Sequence, residues 1–434
     1  MIASASVFLD LTPPSAATCF YVAAVLAVAL FFKFNRLLSV RNLDVLTLFA
    51  AMPGLLLVAA DGRDWWGYLL LLCGSGYFLV RCLLDLILVR RPALAPNLNS
   101  GGLAWLAGAL FLGMAVAPAR PPAEKPAAPP QTETPIDVGR RSVQNRLPES
   151  ELGGWAERGL TLLCHVSIVT GLVLIGWRHF DDLHSGLAAA AFYLLLPYAY
   201  LLLPPTALGS GRWDHALPMA LMVWSVFGYR RPILAGAMLG AAVGCVFFPV
   251  LTLPVWLSFY KGRGAGRFGG ALLLAAALCL AVIGVVLLVN GEWPSRIPLM
   301  WTERTWQPWY ESDRPSFWQG PSGQGIHWAY RIPVFIAYAA FVIATLFWPA
   351  PKNLAHVLAL TAAHLIGIQF WYPDQGGVYV LWYLPFLLLL VFRPNLAACQ
   401  PPLVPSDDWL ARRRQALVRQ IRKMLRRREP EPVG

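Results

Sequence analysis

Apolar residues along the chain fall into long runs that are separated by short polar or basic connectors. Many of these runs approach the roughly 20 residues that a helix needs to cross about 30 Å of hydrocarbon. The pattern predicts an all-α polytopic membrane protein with about 12–13 transmembrane helices. We place the runs at about residues 16–32, 43–60, 66–89, 101–118, 159–177, 185–205, 215–229, 232–260, 268–290, 332–349, 354–371 and 377–393.

The run over residues 232–260 is longer than a single crossing requires. As a straight helix it would measure about 43 Å, which is too long for the bilayer without a strong tilt. Pro249 and Pro254 interrupt the run, and Gly244 offers a bend. We predict a hairpin that turns near Cys245–Pro249, with two short legs of about 20 Å each.

Basic residues in the connectors set the expected orientation, because positively charged loops stay on the cytoplasmic side. Lys33 and Arg36 follow the first run and Arg90 and Arg91 follow the third, so the N-terminus is expected outside. A hairpin at residues 232–260 keeps the later basic loops inside and gives a cytoplasmic C-terminus. The lack of Asn-x-Ser/Thr acceptors and the abundance of Ala, Leu, Gly and Pro favour a multi-pass protein of a bacterial plasma membrane.

Two segments lack the composition of membrane spans and divide the chain. Residues 119–157 are rich in Pro, Ala and polar residues and predict a flexible extracytoplasmic linker. The linker separates a four-span N-terminal membrane region, 1–118, from a membrane module, 158–394, which contains the outer loop 291–331. Residues 395–434 form a basic tail on the cytoplasmic side.

The pattern of the tail predicts an amphipathic helix. Ser406 is a plausible N-cap, and apolar residues recur at helical spacing from Leu410 to Leu425, opposite many Arg and Lys. Each basic residue contributes about 1 kcal/mol near an anionic surface, so we expect anionic membrane lipid as the partner of the tail. A solvated basic helix that binds a protein is the alternative.

Composition and charge exclude several classes of protein. Hydrophobic residues make up 57% of the chain and charged residues only 13%, and the seven cysteines are scattered without metal-ligand spacing. The basic residues behind the net charge of +12 lie in short loops and in the tail, where positive charge is typical of a membrane protein. We therefore expect no nucleic acid partner. No metal or cofactor is indicated. Arg81 and Asp85 lie four residues apart in the third run and are expected to neutralise one another.

The outer loop 291–331 holds six of the eighteen tryptophans of the chain. Indole faces stack on the C–H faces of sugars, and arginines hold phosphates. The loop therefore predicts contacts with a glycan or a lipid-linked sugar, and a membrane-interface aromatic belt is the alternative. The candidate substrate-binding residues in the loop are Trp301, Arg304, Trp306, Trp309, Tyr310, Arg314 and Trp318.

Polar residues also border two of the later spans on the outer side. The stretch "GSGRWDHAL" places Arg212, Asp214 and His215 at the start of a span, and Tyr379 follows another outer turn. A transferase that deprotonates a sugar hydroxyl needs a carboxylate or a histidine as general base, and cations for a departing phosphate. Asp214 beside His215 fits the first role, although an acidic residue at a helix N-terminus also stabilises the helix by itself.

Three stretches resemble the polyprenyl-phosphate-sugar-dependent membrane glycosyltransferases, known as the GT-C class. They are "GWRHFDDLHSGLAAAAFYLLLPYAY", the long stretch that begins "GRWDHALPMALMVWSVFGYRRPILAGAMLG", and "GGVYVLWYLPFLLLLVFRP". The resemblance covers about residues 160–394. It implies a GT-C-like fold, a polyprenyl-phosphate-linked sugar as substrate, and Asp214 as the second outer-loop acidic residue of the class.

The resemblance also implies a catalytic Asp in the first outer loop of the conserved module. In this chain that place falls in the Pro/Ala-rich linker, where Asp137 and Glu149 are the acidic candidates. Relatives often carry Lys beside the Pro of the hairpin turn, whereas this chain has Phe247, Phe248 and Pro249.

Together these observations predict a membrane glycosyltransferase that moves a sugar from a polyprenyl-phosphate donor to a lipid, glycan or protein acceptor at the outer face. One alternative is a catalytically inactive GT-C-like scaffold that binds lipid-linked glycan or protein partners. The other is a transporter, which would require internal repeats and charged residues at the middle of the membrane.

Overall fold

The computed structural model describes residues 16–60, 64–88, 96–116, 134–144, 151–196, 198–199, 213–295, 307–311, 316–321, 325–373, 375–403 and four residues of the tail. Over these residues the chain is helical and has no β-strand. The helices are α1 (Ala16–Phe31), α2 (Val40–Ala50), α3 (Met52–Ala60), α4 (Trp65–Leu84), α5 (Ser100–Val116), α6 (Pro135–Gln144), α7 (Glu151–His179), α8 (Leu183–Leu195), α9 (Trp213–Phe227), α10 (Pro232–Cys245), α11 (Leu253–Phe259), α12 (Ala265–Asn290), α13 (Arg331–Ala344), α14 (Leu354–Trp371) and α15 (Val380–Phe392).

Among the described residues, 5 helices are long and apolar enough to cross a membrane. They are Val40–Val58, which joins α2 and α3, Trp65–Leu84, Gly159–His179, Ala265–Asn290 and Leu354–Trp371. Shorter apolar helices account for the other predicted runs except 215–229, where α9 lies. The sequence prediction of an all-helical membrane protein is confirmed at this level.

The long apolar run 232–260 forms a helical hairpin. Helix α10 ends at Cys245, a 3₁₀ turn follows at Phe248–Thr252, and α11 continues to Phe259. The hydroxyl of Tyr260, after α11, donates to the carbonyl of Tyr229, before α10, at 2.7 Å. The two ends of the segment are therefore neighbours, as a hairpin requires.

Helix α12 runs parallel to α10, which gives independent evidence for the hairpin. A Cβ atom added at Gly236 would overlap the carbonyl oxygen of Phe268, and one at Gly240 would overlap that of Leu272. The same offset along both helices means that they point the same way. Small residues every four positions allow this close approach of two backbones, a common device between membrane helices.

The centre of the bundle is formed by α14 and α15. Every residue of α15 is buried, and so are nearly all residues of α14. In contrast, only Phe268, Leu272 and Leu287 are buried in the 26-residue α12. A helix that is apolar all round and exposed on most sides faces lipid, so α12 lies at the edge of the bundle.

A buried ion cluster joins the first helices to the last one. Arg81 forms the expected pair with Asp85 at 2.9 Å, and it also contacts Asp44 of α2 at 3.2 Å. Arg393, at the end of α15, donates to the second oxygen of Asp85. Tyr77 donates to Asp44 at 2.8 Å. The cluster contains two arginines and two aspartates, so its charges balance.

The predicted inner loops contact one another at one end of the bundle. Asn97 donates its backbone amide to Leu30 at 2.8 Å, and Arg263 donates to the carbonyl of Pro401 at 2.7 Å. At the other end, the indole of Trp65 donates to the carbonyl of Phe317 in the predicted outer loop at 2.9 Å. Which end faces the cytoplasm stays a prediction from the charge pattern.

The amphipathic helix predicted for the tail falls largely outside the described residues. Residues 413, 416, 418 and 419, which the structure does describe, are helical.

Candidate functional site

A short helix occupies part of the segment that the sequence predicted to be a flexible linker. Helix α6 begins after Thr134, whose hydroxyl accepts from the backbone amide of Asp137 at 3.3 Å and donates to its carboxylate at 2.8 Å. Pro135 occupies the first helical position, where proline is favoured. The predicted linker, 119–157, therefore differs from the structure over residues 135–144 and 151–157, which are helical, while residues 119–133 and 145–150 lie outside the described part.

Helix α6 is held against α12 by an apolar face and by one polar anchor. Ile136 and Val138 are buried. The side-chain amide of Asn290, at the end of α12, donates to the backbone carbonyl of Ser142 at 2.8 Å and to its hydroxyl at 2.5 Å. These contacts fix α6 beside the end of the bundle that carries the start of α9.

The position of α6 brings two predicted catalytic residues together. The carboxyl groups of Asp137 on α6 and Asp214 on α9 share a hydrogen bond, and the ring of His215 lies close enough to act on Asp137. Asp214 is 6% exposed, whereas the side chain of Asp137 is 26% exposed. The guanidinium of Arg140 lies 3.8 Å from the Asp137 carboxylate. Two acidic residues that are 77 positions apart in the chain thus form one pair.

The surroundings of this pair favour the ionised form of Asp137. Burial acts to raise the pKa of the Asp137 carboxyl, but Arg140, the Thr134 hydroxyl, His215 and the hydrogen bond with Asp214 outweigh it, and the pKa is lowered. A hydrogen bond between two carboxyl groups requires one proton, which the two residues share.

An aromatic stack borders the acid pair. The ring of Trp382 stacks on the rings of Phe248 and Tyr379, with ring centroids 3.9 Å and 4.2 Å apart. Both neighbouring rings are nearly parallel to that of Trp382. The Trp382 indole donates to Nδ1 of His215 at 3.2 Å. The tip of the α10–α11 hairpin therefore touches the site through Phe248.

A tight turn between α14 and α15 places Tyr379. Gln375 and Gly377 have positive φ angles of 51° and 97°. The side-chain oxygen of Gln369 accepts from the amide of Gly377 at 3.0 Å, and a Cβ atom at Gly376 would overlap the carbonyl oxygen of Gln369. Only glycine allows this approach, so the two central helices can join within a few residues.

The described part of the outer loop is attached to the bundle by its aromatic residues. The indole of Trp318 donates to the carbonyl of Phe370 at 3.2 Å, and the guanidinium of Arg331 lies 5.9 Å from the Trp318 ring. Arg331 also donates to the carbonyl of Tyr310 at 2.6 Å. Trp309 is 54% exposed. Trp318 and Tyr310 thus have structural contacts in addition to any contact with a ligand.

Of the residues predicted from the sequence, the structure brings Asp137, Asp214, His215 and Tyr379 into one site. Trp309, Tyr310 and Trp318 are described in the outer loop, and the remaining predicted residues lie outside the described part of the chain: Glu149, Arg212, Trp301, Arg304, Trp306 and Arg314. Among the residues described, no group of His, Cys, Asp and Glu is arranged to hold a metal ion.

Sequence reasoning missed Thr134, Arg140, Phe248 and Trp382. The first two had a local signal, because Thr-Pro-x-Asp is a typical start of a helix and Arg140 lies three residues after Asp137. The hydrogen bond between Trp382 and His215 joins residues 167 positions apart, and no local pattern indicates it.

The site thus combines a proton-sharing pair of carboxyl groups, an imidazole, one guanidinium and an aromatic wall. Such a set can accept a proton from a hydroxyl and can stack on a flat or apolar face of a ligand. No family model, curated protein or solved structure matches the chain, so the geometry of this site carries the functional argument.

Proposed function

We propose that the protein is a membrane glycosyltransferase that moves a sugar from a polyprenyl-phosphate donor to an acceptor hydroxyl at the predicted outer face. The observation that carries this proposal is the meeting of Asp137 and Asp214 beside His215. The resemblance to the GT-C class implies one acidic residue from each of two outer segments, and these two carboxyl groups come from such segments.

In the proposed reaction the bond between the sugar C1 and the donor phosphate breaks, and a bond between C1 and the acceptor oxygen forms. The polyprenyl phosphate leaves with the bonding electron pair. The acceptor proton passes to Asp137, whose surroundings favour the ionised form. His215 and the hydrogen bond with Asp214 hold this carboxylate in place.

The other residues of the site suit the two ends of the donor. Arg140 supplies positive charge close to the pair, and Arg212 immediately precedes α9 in the sequence. Guanidinium groups hold phosphate oxygens with paired hydrogen bonds. The rings of Tyr379 and Trp382 offer a face on which a sugar stacks.

An inactive scaffold that binds a lipid-linked glycan is the second candidate. One observation favours it: the hairpin tip presents Phe248, whose ring stacks on Trp382 and contributes no charge to hold a phosphate. A scaffold would bind the donor without releasing polyprenyl phosphate.

The test measures the release of polyprenyl phosphate from a panel of labelled polyprenyl-phosphate hexoses and pentoses. The full-length protein and its variants are compared in nanodiscs, and a membrane extract supplies the acceptor. Asp137→Asn should reduce release of polyprenyl phosphate by about a hundredfold or more, because a general base contributes about that factor. Asp214→Asn should also reduce release, because Asp214 holds the base in place. Binding of the donor should change much less.

Asp64→Asn is the matched control. Asp64 lies at the same end of the bundle, where its side chain caps α4 by accepting from the amides of Trp66 and Gly67. Asn caps a helix as well as Asp does, so this variant should keep full turnover. Equal turnover in all three variants would reject the assigned roles, and donor binding without any release by the unmodified protein would establish the scaffold.

A further inference from the structure

A basic cavity lies at the opposite end of α9 from the acid pair. It has a volume of about 210 Å³ and is lined by Arg178, His179, Phe227, Arg230, Arg231 and Leu234, among others. Pockets for drug-sized ligands begin at about 300 Å³, so this cavity suits a headgroup and not a whole lipid. Helix α9 has 15 residues, which separates the cavity from Asp214 by about 20 Å.

The charge of the cavity selects an anion. Three of its lining residues are arginines, and none of those described is acidic. The nearby carboxylate of Asp182 is used elsewhere, because it accepts from the amides of His184 and Ser185 at the start of α8. The positive charge in the cavity is therefore not balanced by its own lining.

A buried histidine provides a second, independent sign of a ligand. His179 is 6% exposed, and its Nε2 donates to the carbonyl of Phe227 at 2.7 Å. The other ring nitrogen, Nδ1, is buried and has no hydrogen-bond partner among the described residues. Buried polar atoms nearly always have a partner, and His179 is one of the residues that line the cavity.

The start of α10 adds oriented backbone donors. Arg231 is the N-cap residue and makes no side-chain cap, and Pro232 occupies the first turn. The amides of the first turn of a 14-residue helix therefore lack the usual side-chain acceptor. Phosphate groups bind readily at such helix starts.

Apolar residues beside the cavity indicate that the anion belongs to a lipid. Trp177 is 56% exposed and Ile233 is 59% exposed, and each is adjacent in sequence to a lining residue. Tryptophan is typical of the membrane interface, where headgroups lie. A lipid whose phosphate enters the cavity can lay its acyl chains along this surface.

We propose that the cavity binds the phosphate headgroup of an anionic membrane lipid. The arginines contact the phosphate oxygens, and a hydroxyl of the headgroup donates to Nδ1 of His179. This site is separate from the acid pair, and its existence does not depend on glycosyl transfer.

The test measures adducts of the purified full-length protein by native mass spectrometry after addition of phosphatidylglycerol, phosphatidylcholine or inorganic phosphate. Phosphatidylglycerol should bind at least about tenfold more tightly than phosphatidylcholine. The triple variant Arg178→Gln, Arg230→Gln, Arg231→Gln should weaken phosphatidylglycerol binding by about a hundredfold, because each basic residue contributes about 1 kcal/mol at an anionic surface.

A matched triple variant, Arg36→Gln, Lys261→Gln, Arg267→Gln, removes the same charge from residues that are outside the lining of the cavity. It should bind phosphatidylglycerol almost as the unmodified protein does. Equal losses in both triple variants would show attraction to surface charge alone and would overturn the proposal. Binding of inorganic phosphate without preference for phosphatidylglycerol would overturn the lipid as the source of the anion.

His179→Phe keeps a ring of similar size and all three arginines, so it tests the site if the triple variant does not fold. Loss of one hydrogen bond should weaken phosphatidylglycerol binding by about tenfold. Unchanged affinity in this variant, with a melting temperature equal to that of the unmodified protein, would contradict the assignment of His179.

Discussion

Among single residues, the carboxyl groups of the candidate site could be predicted from the sequence and their partners could not. Asp214 and Asp137 were predicted from residue type and from the resemblance to one family. Their contact depends on α6 packing against α12, and the hydrogen bond from Trp382 to His215 depends on the order of helices in the bundle. A sequence pattern reports neighbours along the chain, whereas these contacts join residues that are distant in it.

Lys352 is a buried cation that makes stability depend on pH. It lies between α13 and α14, is 3% exposed, and donates to the hydroxyl of Ser258 at 2.8 Å and to the carbonyl of Pro349 at 2.9 Å. Burial lowers its pKa to about 8. Between about pH 8 and the unfolded pKa near 10.5, the unfolded chain binds more protons than the folded one.

The stability of the folded protein should therefore rise with pH across this window, and Lys352→Met should remove that part of the rise. The measurement is the difference in melting temperature between the unmodified protein and the variant in detergent from pH 7.5 to 10.5. Lys261→Met, which changes an exposed lysine at the same end, is the control. A difference that stays constant with pH would contradict the role of Lys352.

Among helices, those with strong physical constraints were predicted well. The predicted hairpin at 232–260 followed from its length, its prolines and the basic residues on both sides, and the contact between Tyr260 and Tyr229 agrees with it. Helix α6 was missed because a 10-residue helix is marginal by itself and forms here through its contacts with α12. The break between α2 and α3 at Ala51 was also absent from the prediction.

The close packing of α10 on α12 gives a prediction about two glycines. Gly240→Ala should destabilise the protein by about 1–3 kcal/mol, because the added methyl group meets the backbone of Leu272. Gly269→Ala, on α12, meets nothing within 4 Å and should be neutral or slightly stabilising, because Ala favours a helix over Gly. Reversible unfolding in mixed micelles measures both changes, and equal stabilities would contradict the packing.

At the level of the whole molecule, the chain forms a single helical bundle in which the first four predicted spans contact the later ones. The hydroxyls of Ser75 on α4 and Tyr383 on α15 lie 3.1 Å apart, and Tyr198 donates to the carbonyl of Leu48 at 3.1 Å. Hydropathy predicted apolar helices as the class of element, but it contains no information on which helices are neighbours. The central position of α14 and α15 was therefore not predictable.

The ion cluster offers a test of this assembly. Asp85→Asn should destabilise the protein by about 3–5 kcal/mol, because Arg81 and Arg393 would lose the carboxylate that lies between them while they stay buried. The free energy of unfolding in mixed micelles measures the effect, with Asp64→Asn as the control at an exposed helix cap. A change below about 1 kcal/mol would mean that water reaches the cluster.

The enclosure of α15 by protein on all sides has a consequence for the candidate site around Asp137 and Asp214. Trp382 belongs to this helix and is 4% exposed, so its indole has no room to swing aside. Helix α6 lies at the rim and is fastened through Ser142 and a small apolar face. The site therefore has one wall at the centre of the bundle, formed by α15, and one at its edge, formed by α6.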